Sequence, residues 1–175
     1  MVRNLRLTVL VDDQRNPHAP DLKAKHGLCI YVEAKVKNEC FPFLIDTGPS
    51  SDVLRKNAEV LKIDLSKVKG VFLSHGHYDH TGGLLEVLKQ IDKNVPVVAH
   101  PLIFEPKFSF KPVLTYIGAP FTLAEIKNHA SLLFSRNPVK LMEDISTTGE
   151  IERVTPYEKT EGLWTVSRER FIPDI

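Results

Sequence analysis

The stretch FLSHGHYDHTGGL, residues 72–84, places three histidines and one aspartate within six consecutive positions. His75, His77, Asp79 and His80 follow an apolar run, VKGVFLS, whose lack of alternation predicts a short strand buried on both faces. A rigid strand end followed by a turning loop can aim several side chains at one point. Imidazole nitrogens and carboxylates are ligands that zinc, iron and manganese accept. The sequence therefore predicts a metal site at this strand end.

The spacing of the four residues favours two neighbouring ions. His75 and His77 are two positions apart and can share one ion, while Asp79 and His80 can reach a second. The two glycines that follow allow backbone to pack closely beneath the loop. A polar loop in which the histidines occur by chance is the alternative interpretation.

The composition is that of one ordinary globular domain. The chain has 175 residues, 42% hydrophobic and 26% charged, with a net charge of +1. The sequence has no cluster of lysines and arginines of the kind that binds nucleic acid. It also has no apolar segment long enough to span a bilayer. The first residues, MVRNLRLTVLVDD, alternate like a strand and lack the features of a signal peptide. We therefore expect one domain over residues 1–175, in the cytoplasm, binding neither nucleic acid nor membrane.

The two cysteines are expected to be buried free thiols. A hairpin turning at Lys37-Asn38-Glu39 would place Cys29 and Cys40 several residue pairs apart, which is too far for a disulfide. Free thiols are consistent with a reducing compartment.

The remaining pattern alternates strands and helices, which predicts a layered α/β or α+β domain. Pro-punctuated residues 101–121 suggest an ordered loop or lid, and Thr122 with Glu125 has the pattern of a capping box. The predicted strands are 5–12, 28–36, 40–46, 68–74, 95–100, 132–135, 139–142 and 150–154, and the predicted longer helices are 51–61 and one that follows Gly83.

Asp46 and His100 each stand at a predicted strand end and each have two interpretations. Asp46 can accept hydrogen bonds from the metal loop and hold its shape, or it can cap the helix that starts near Ser50. His100 can line a substrate pocket, or it can cap a strand before Pro101. His18, His26 and His129 have no motif around them, and we expect all three to be surface residues.

LIDTG followed by FLSHGHYDHTGGL resembles the metallo-β-lactamase superfamily, whose fold is an αββα sandwich with metals at the seam. HGLCIYVE, VVAHP and TTGEIER are most similar to its archaeal dihydropterin synthase branch, which joins a pterin diphosphate to a ribosyl-aminobenzene phosphate. The resemblance runs along most of the chain. It implies a small-molecule substrate and two bound divalent metal ions, for which zinc is expected first and iron or manganese are the alternatives.

The resemblance also assigns roles to individual residues. His75 and His77 would bind the first ion, and Asp79 and His80 the second. Asp46 would support the loop, and His100 would line the substrate pocket. In a hydrolytic reaction Asp79 would also be catalytic, because it would orient the nucleophile and take its proton.

The chain departs from the family pattern in its second half. Beyond His100 the chain contains only one further histidine, His129. Its helical context matches none of the ligands that the superfamily has in its second half. We therefore expect only the N-terminal portion of the fold, with two ligands for each ion where tight zinc sites generally have three. An exposed apolar sheet face would then invite a second copy of the chain or a separate C-terminal piece.

Several functions remain open at this stage. A metal-dependent hydrolase or a dihydropterin synthase-type transferase is the first hypothesis, with missing ligands supplied by another chain. A non-enzymatic remnant that binds or oligomerises is the second. A nuclease or a hydroxyacylglutathione hydrolase shares the loop, but the even charge disfavours the former and Tyr78 with its flanking segments fits the latter less well.

Overall fold

The computed structural model describes residues 1–37, 39–91 and 94–174. Over these residues the chain forms a six-stranded sheet, a four-stranded sheet and a two-stranded ribbon. The strands are β1 (Val2–Val11), β2 (Cys29–Val36), β3 (Glu39–Ile45), β4 (Val71–Phe72), β5 (Val95–Ala99), β6 (Lys107–Ser109), β7 (Thr115–Tyr116), β8 (Ala130–Phe134), β9 (Lys140–Met142), β10 (Ile145–Ser146), β11 (Leu163–Ser167) and β12 (Arg170–Pro173). The helices are α1 (Ser51–Val60), α2 (Tyr78–Thr81), α3 (Leu84–Gln90) and α4 (Leu123–Lys127), with a 3-10 turn at Leu65–Lys67.

The large sheet has the order β1-β2-β3-β4-β5-β8. Its first three strands are antiparallel, and β3, β4, β5 and β8 run parallel to one another. The predicted hairpin of β2 and β3 is confirmed, with Ile30 opposite Ile45 and Lys35 opposite Cys40. Asn38 of the predicted turn lies outside the described residues. The order β12-β11-β6-β7 forms the smaller sheet.

Strand alternation assigns the two faces of the large sheet to different surroundings. On β2, Cys29 and Tyr31 join the main core with the buried faces of α1, α3 and α4. Val32 and Ala34 point to the opposite face, where they pack with Phe43 in a smaller cluster. The helices thus cover one face of the sheet, and most of the apolar core lies between them and the strands.

The opposite face continues onto β1 as an apolar strip that is largely open to solvent. Leu5, Leu7 and Val9 lie across from Ala34, Val32 and Ile30 and remain about half exposed. Leucine and valine in such a row are unusual on an isolated surface. The expected partner on this face, a second copy or a separate piece, stays a prediction.

Several sequence expectations are corrected by the structure. Residues 150–154, expected to be a strand, have no regular structure, and the Pro-rich segment 101–121 contributes β6 and β7 to the smaller sheet. Strands β11 and β12 were not foreseen. Cys40 is exposed rather than buried, because it lies at the open beginning of β3, whereas Cys29 is buried; both are free thiols. The capping box at Thr122 and Glu125 is confirmed. Among the described helices, none has the length and apolar character needed to cross a membrane.

Replacing Leu54, which is fully buried on α1, with alanine should lower the free energy of unfolding by about 2–5 kcal/mol, because a cavity would open between the helix and the sheet. Leu114→Ala is the matched control, since that side chain is 57% exposed, and it should change stability by less than about 0.5 kcal/mol. Chemical denaturation of both variants measures the difference. Equal losses would contradict this description of the core.

Candidate metal centre

The parallel pairing of β3 and β4 brings the candidate residues to one edge of the sheet. Leu44 pairs with Val71 and Ile45 with Phe72, so both strands end side by side. Asp46 leaves β3 there, and its N–H donates to the Phe72 carbonyl at 2.8 Å. The histidine loop leaves β4 at the same edge and turns through α2. Residues that are about thirty positions apart in sequence are therefore neighbours.

The carboxylate of Asp46 holds the histidine loop from beneath. Its Oδ1 accepts from the Ser74 backbone N–H at 2.8 Å, and its Oδ2 accepts from Ser74 Oγ at 2.7 Å. The same Oδ2 lies 2.7 Å from Nδ1 of His80. Asp46 is fully buried, and Ser50, not Asp46, is the N-cap residue of α1. Of the two interpretations of Asp46, the contacts are those of the one in which it supports the loop.

The three imidazoles lie against one another at the tip of the strand. The ring centroid of His75 is 4.6 Å from that of His77 and 4.0 Å from that of His80. One nitrogen of each ring is already held, His75 Nδ1 by Ser74 Oγ at 3.0 Å and His77 Nε2 by Asp174 Oδ2 at 2.5 Å. His80 Nδ1 is held by Asp46. Nε2 of His75 and Nδ1 of His77 have no hydrogen bond to any described residue, whereas Nε2 of His80 faces the Asp79 carboxylate at 3.4 Å.

Asp79 lies beside these rings and is almost buried, with 8% of its surface exposed. Its Oδ2 is 3.4 Å from Nε2 of His80 and also 3.4 Å from Nε2 of His26. His26 is largely exposed, as expected from the sequence, but its contact with Asp79 was not foreseen.

The surroundings of the site shift the pKa values of His75, His80 and Asp79. Burial, together with the neighbouring rings of His80 and His77, lowers the pKa of His75 to about 4. Burial acts in the same direction on His80, but hydrogen bonds to Asp46 and Asp79 outweigh it and raise the pKa of His80 to about 9. Burial would raise the pKa of Asp79, but its interactions with His80 outweigh this effect and lower it. Asp79 is therefore a carboxylate at neutral pH.

The donor set fits a divalent ion chemically, and one pair of atoms fits it in distance. Two ligand atoms on a tetrahedral zinc ion are separated by about 3.3 Å, given bonds of about 2.0–2.1 Å. His80 Nε2 and Asp79 Oδ2 are 3.4 Å apart. Within residues 1–37, 39–91 and 94–174, no three His, Cys, Asp or Glu side chains form a group that could hold one ion. Among these residues the distances therefore fit one pair of ligands, His80 and Asp79, and not a complete site.

Close packing of backbone beneath the loop requires its glycines. A Cβ on Gly76 would overlap the Ile103 carbonyl oxygen and Cε of Lys107, and a Cβ on Gly82 would overlap the Pro49 carbonyl oxygen. The expectation that the glycines after His80 allow this close approach is confirmed. Gly76 was not singled out from the sequence, although it lies between two of the histidines.

A cavity of about 440 Å³ opens beside the loop and is lined by both His75 and His100. His100 Nδ1 accepts from the Leu102 N–H at 3.1 Å, and Nε2 lies 3.2 Å from Glu150 Oε2. Glu150 in turn pairs with Arg136 at 2.5 Å. His100 thus holds the turn that follows β5 while it faces the cavity, so its two interpretations are compatible.

Two residues that no sequence pattern singled out also belong to the surroundings of the histidine loop. Asp174 contacts His77 across 97 positions of sequence, and Lys107 contacts Asp174 from within the Pro-rich segment. Burial would raise the pKa of Asp174, but hydrogen bonds from His77, Lys107 and Thr165 outweigh it and hold that pKa well below its usual range. His18 is exposed and His129 partly exposed, and both lie outside the cluster.

The mixed α/β fold and the loop of histidines and aspartate at the end of β4 are the two features by which this chain can be compared with known protein families. Residues 24–163 match the family model of the metallo-beta-lactamase superfamily. The chain belongs to this superfamily, and the predicted fold class is confirmed.

The chain is also similar to individual proteins and to solved structures of the superfamily. Over 180 aligned residues the chain is 33% identical to 7,8-dihydropterin-6-methyl-4-(beta-D-ribofuranosyl)-aminobenzene-5'-phosphate synthase of Methanocaldococcus jannaschii, covering 99% of this chain and 61% of that protein. It is 43% identical over 68 residues to ribonuclease J of Mycoplasma genitalium, covering 34% of this chain and 12% of that one. The crystal structure of the metallo-beta-lactamase SMB-1 with mercaptoacetic acid superposes with a TM-score of 0.46 and 14% identity, covering 81% of this chain and 51% of that chain. The chain spans less than two thirds of the length of these relatives.

Replacing Asp46 with alanine should lower the free energy of unfolding by about 1–3 kcal/mol, because the charge-assisted hydrogen bonds from Ser74 and His80 to this buried carboxylate would be lost. Asp46→Asn should cost less, since its carbonyl can still accept from the Ser74 N–H and asparagine tolerates the positive φ of 56° at this position. Urea denaturation of the two variants measures both values. An alanine variant as stable as the wild type would contradict the supporting role.

Proposed function

We propose that this chain carries the metal-binding loop of a metal-dependent enzyme of the metallo-β-lactamase superfamily. The observation that supports it most is the pairing of His80 Nε2 with Asp79 Oδ2 at 3.4 Å beside two further imidazoles, each with one ring nitrogen held by a neighbour. His75 and His77 would hold one divalent ion, and Asp79 and His80 the second. Zinc suits this set of nitrogen and oxygen donors best, and iron or manganese would also be accepted.

A bound divalent ion would supply Lewis-acid polarisation of a substrate oxygen. The chain's own residues supply position and proton transfer. Asp79 is ionised and lies at the edge of the cluster, so it can orient a nucleophile and accept its proton. Asp46 keeps the loop in place because both carboxylate oxygens are engaged by it. The partly apolar cavity beside His75 gives a substrate a route to these groups.

For the substrate we propose a phosphorylated small molecule, handled by a transferase of the dihydropterin synthase type. This rests on similarity over nearly the whole chain to the synthase of Methanocaldococcus jannaschii. His100, on the cavity wall, would contact such a substrate. In this reaction the amine of an aminobenzene riboside phosphate would attack the carbon of a dihydropterin diphosphate that carries the diphosphate group, and diphosphate would leave from that carbon. Simple hydrolysis is the variant in which water replaces that amine.

A non-enzymatic role is the second candidate. It is supported by the exposed apolar strip of Leu5, Leu7 and Val9, and within residues 1–37, 39–91 and 94–174 no three candidate ligands form a group that could hold one ion. On this account the chain would bind metal weakly and serve as a binding or oligomeric protein. A second chain, identical or different, would complete the site in the enzymatic account. We further propose a cytoplasmic location, which the free thiols Cys29 and Cys40 support.

Zinc binding tests the metal-dependent function. Wild-type protein dialysed against Zn²⁺ should retain up to two ions for each chain, measured by elemental analysis. His80→Ala should lose one of them, because Asp79 alone would remain at the second position.

His18→Ala is the matched control, because His18 is exposed and lies outside the cluster. It should retain zinc as the wild type does. Absence of zinc from the wild type, or equal loss in both histidine variants, would contradict the proposal.

Turnover tests the proposed substrate class. Zinc-loaded chain, incubated with a dihydropterin diphosphate and an aminobenzene riboside phosphate, should release diphosphate. Asp79→Asn should lower the rate by at least about 10²–10⁴-fold, because a general base and a charged ligand of the second ion are lost together. Release of diphosphate from the dihydropterin diphosphate at the same rate when the aminobenzene riboside phosphate is left out would favour hydrolysis, in which water replaces the amine. Zinc binding without turnover of either substrate would favour the non-enzymatic role.

A further inference from the structure

Three polar residues form a buried cluster behind the histidine loop. Lys107 and Thr165 have no exposed surface, and Asp174 is 3% exposed. Lys107 at the start of β6 pairs with Thr165 on β11, and Asp174 directly follows β12. A lysine charge without solvent is rarely found unless a carboxylate accompanies it. The smaller sheet thus places a charged pair in its interior, next to the predicted metal site.

Every polar atom of this cluster has a defined partner. Lys107 Nζ donates to Asp174 Oδ1 at 2.7 Å and to Thr165 Oγ1 at 2.8 Å. The Thr165 hydroxyl donates to the same Oδ1 at 2.6 Å. Neutralising Lys107 therefore uses one carboxylate oxygen only. The other, Oδ2, lies 2.5 Å from Nε2 of His77.

The histidine loop rests directly on this cluster. Gly76 has no room for a side chain, because Cε of Lys107 lies beneath it. Tyr78 N–H donates to the Ile117 carbonyl at 2.8 Å, and Ile117 N–H donates to the Lys107 carbonyl at 2.9 Å. Backbone and side chain of Lys107 together fix the distance between the smaller sheet and the loop. Asp174 consequently meets His77 at a set position.

We propose that Asp174 is a positioning residue for His77, which fixes that ring with its proton on Nε2 and turns Nδ1 towards the ion. The carboxylate is an acceptor, so the ring nitrogen beside it must carry a hydrogen. A neutral imidazole has one protonated nitrogen, which leaves Nδ1 as the lone-pair donor. A carboxylate behind a metal-bound histidine is a recurrent way to set its tautomer. The role of the ion rests on the proposed function, whereas the tautomer does not.

His77 is distinguished from the other two rings by this arrangement. His75 and His80 are held at Nδ1, by Ser74 and Asp46, so that Nε2 is the remaining ring nitrogen of each, and in His80 it faces Asp79. His77 is held at Nε2 and keeps Nδ1 available. The loop would therefore present Nε2 of His75 and His80, and Nδ1 of His77, to an ion. The large sheet holds one ring through Asp46, and the smaller sheet holds another through Asp174.

Asp174→Asn tests this proposal with almost no change of shape. The carbonyl of the introduced amide would keep Lys107 and Thr165 as donors, so its NH₂ group would face His77. A donor there requires Nε2 to accept, and the proton should move to Nδ1. Long-range ¹H–¹⁵N correlation spectra of histidine-labelled protein should show this switch at His77 alone. Zn²⁺ affinity, measured by competition with a chromophoric chelator, should fall about 10–100-fold.

Thr165→Val is the comparison variant. It removes two hydrogen bonds from the cluster but leaves the ion pair of Lys107 with Asp174 and the contact of Asp174 with His77. It should lower thermal stability while His77 keeps its proton on Nε2 and Zn²⁺ affinity stays within about threefold of the wild type. Thermal unfolding of both variants separates a general loss of stability from a specific effect on His77.

Two results would overturn the proposal. One is an Asp174→Asn variant whose His77 retains the Nε2 proton. The other is a Thr165→Val variant whose spectrum and affinity change as much as those of Asp174→Asn, which would make the cluster merely structural. If the wild type bound no zinc but His77 still switched tautomer in Asp174→Asn, the proposed metal function would fail and the positioning role of Asp174 would stand.

Discussion

The buried carboxylate of Asp46 is the interaction on which the arrangement of the site depends. Three donors from the histidine loop converge on it, two from Ser74 and one from His80. The parallel pairing of β3 and β4 makes this possible, because it ends both strands at the same edge of the sheet. A carboxylate without solvent must be satisfied by such donors. The loop that satisfies it is thereby fixed, and the imidazoles stand at one point instead of dispersing into water.

The loop is held from two sides. The large sheet acts through Asp46, and the smaller sheet acts through Asp174 and Lys107. Each imidazole consequently has one ring nitrogen engaged before any ligand arrives. Less conformational entropy is then lost when a ligand binds, which is how a site with few ligands can still prefer one geometry. The same close packing explains the glycines, since Gly76 lies against Ile103 and Lys107 and Gly82 lies against Pro49, with no room for a side chain at either position.

Features that depend on neighbouring residues were predictable from the sequence, and those that depend on distant pairing were not. The histidine cluster, the β2–β3 hairpin and the capping box at Thr122 are local patterns, and each was recognised. Strands β6 and β7 lie in a Pro-rich segment and pair with each other, and β6 also pairs with β11, which is more than fifty positions away. Residues 150–154 contain two β-branched residues, Ile151 and Val154, and were predicted to be a strand, but the structure pairs them with no strand. Asp174 is 97 positions from His77, so no local pattern could assign it to the site.

The central claim, that the loop side chains at the tip of β4 bind divalent metal, is tested most directly by anomalous diffraction from crystals of the chain grown with zinc. The account predicts a peak at the zinc absorption edge within about 2.0–2.2 Å of His80 Nε2 and an Asp79 carboxylate oxygen, with a second peak between His75 and His77. Peaks confined to exposed residues such as His18, or no peak at the loop at saturating zinc, would contradict it.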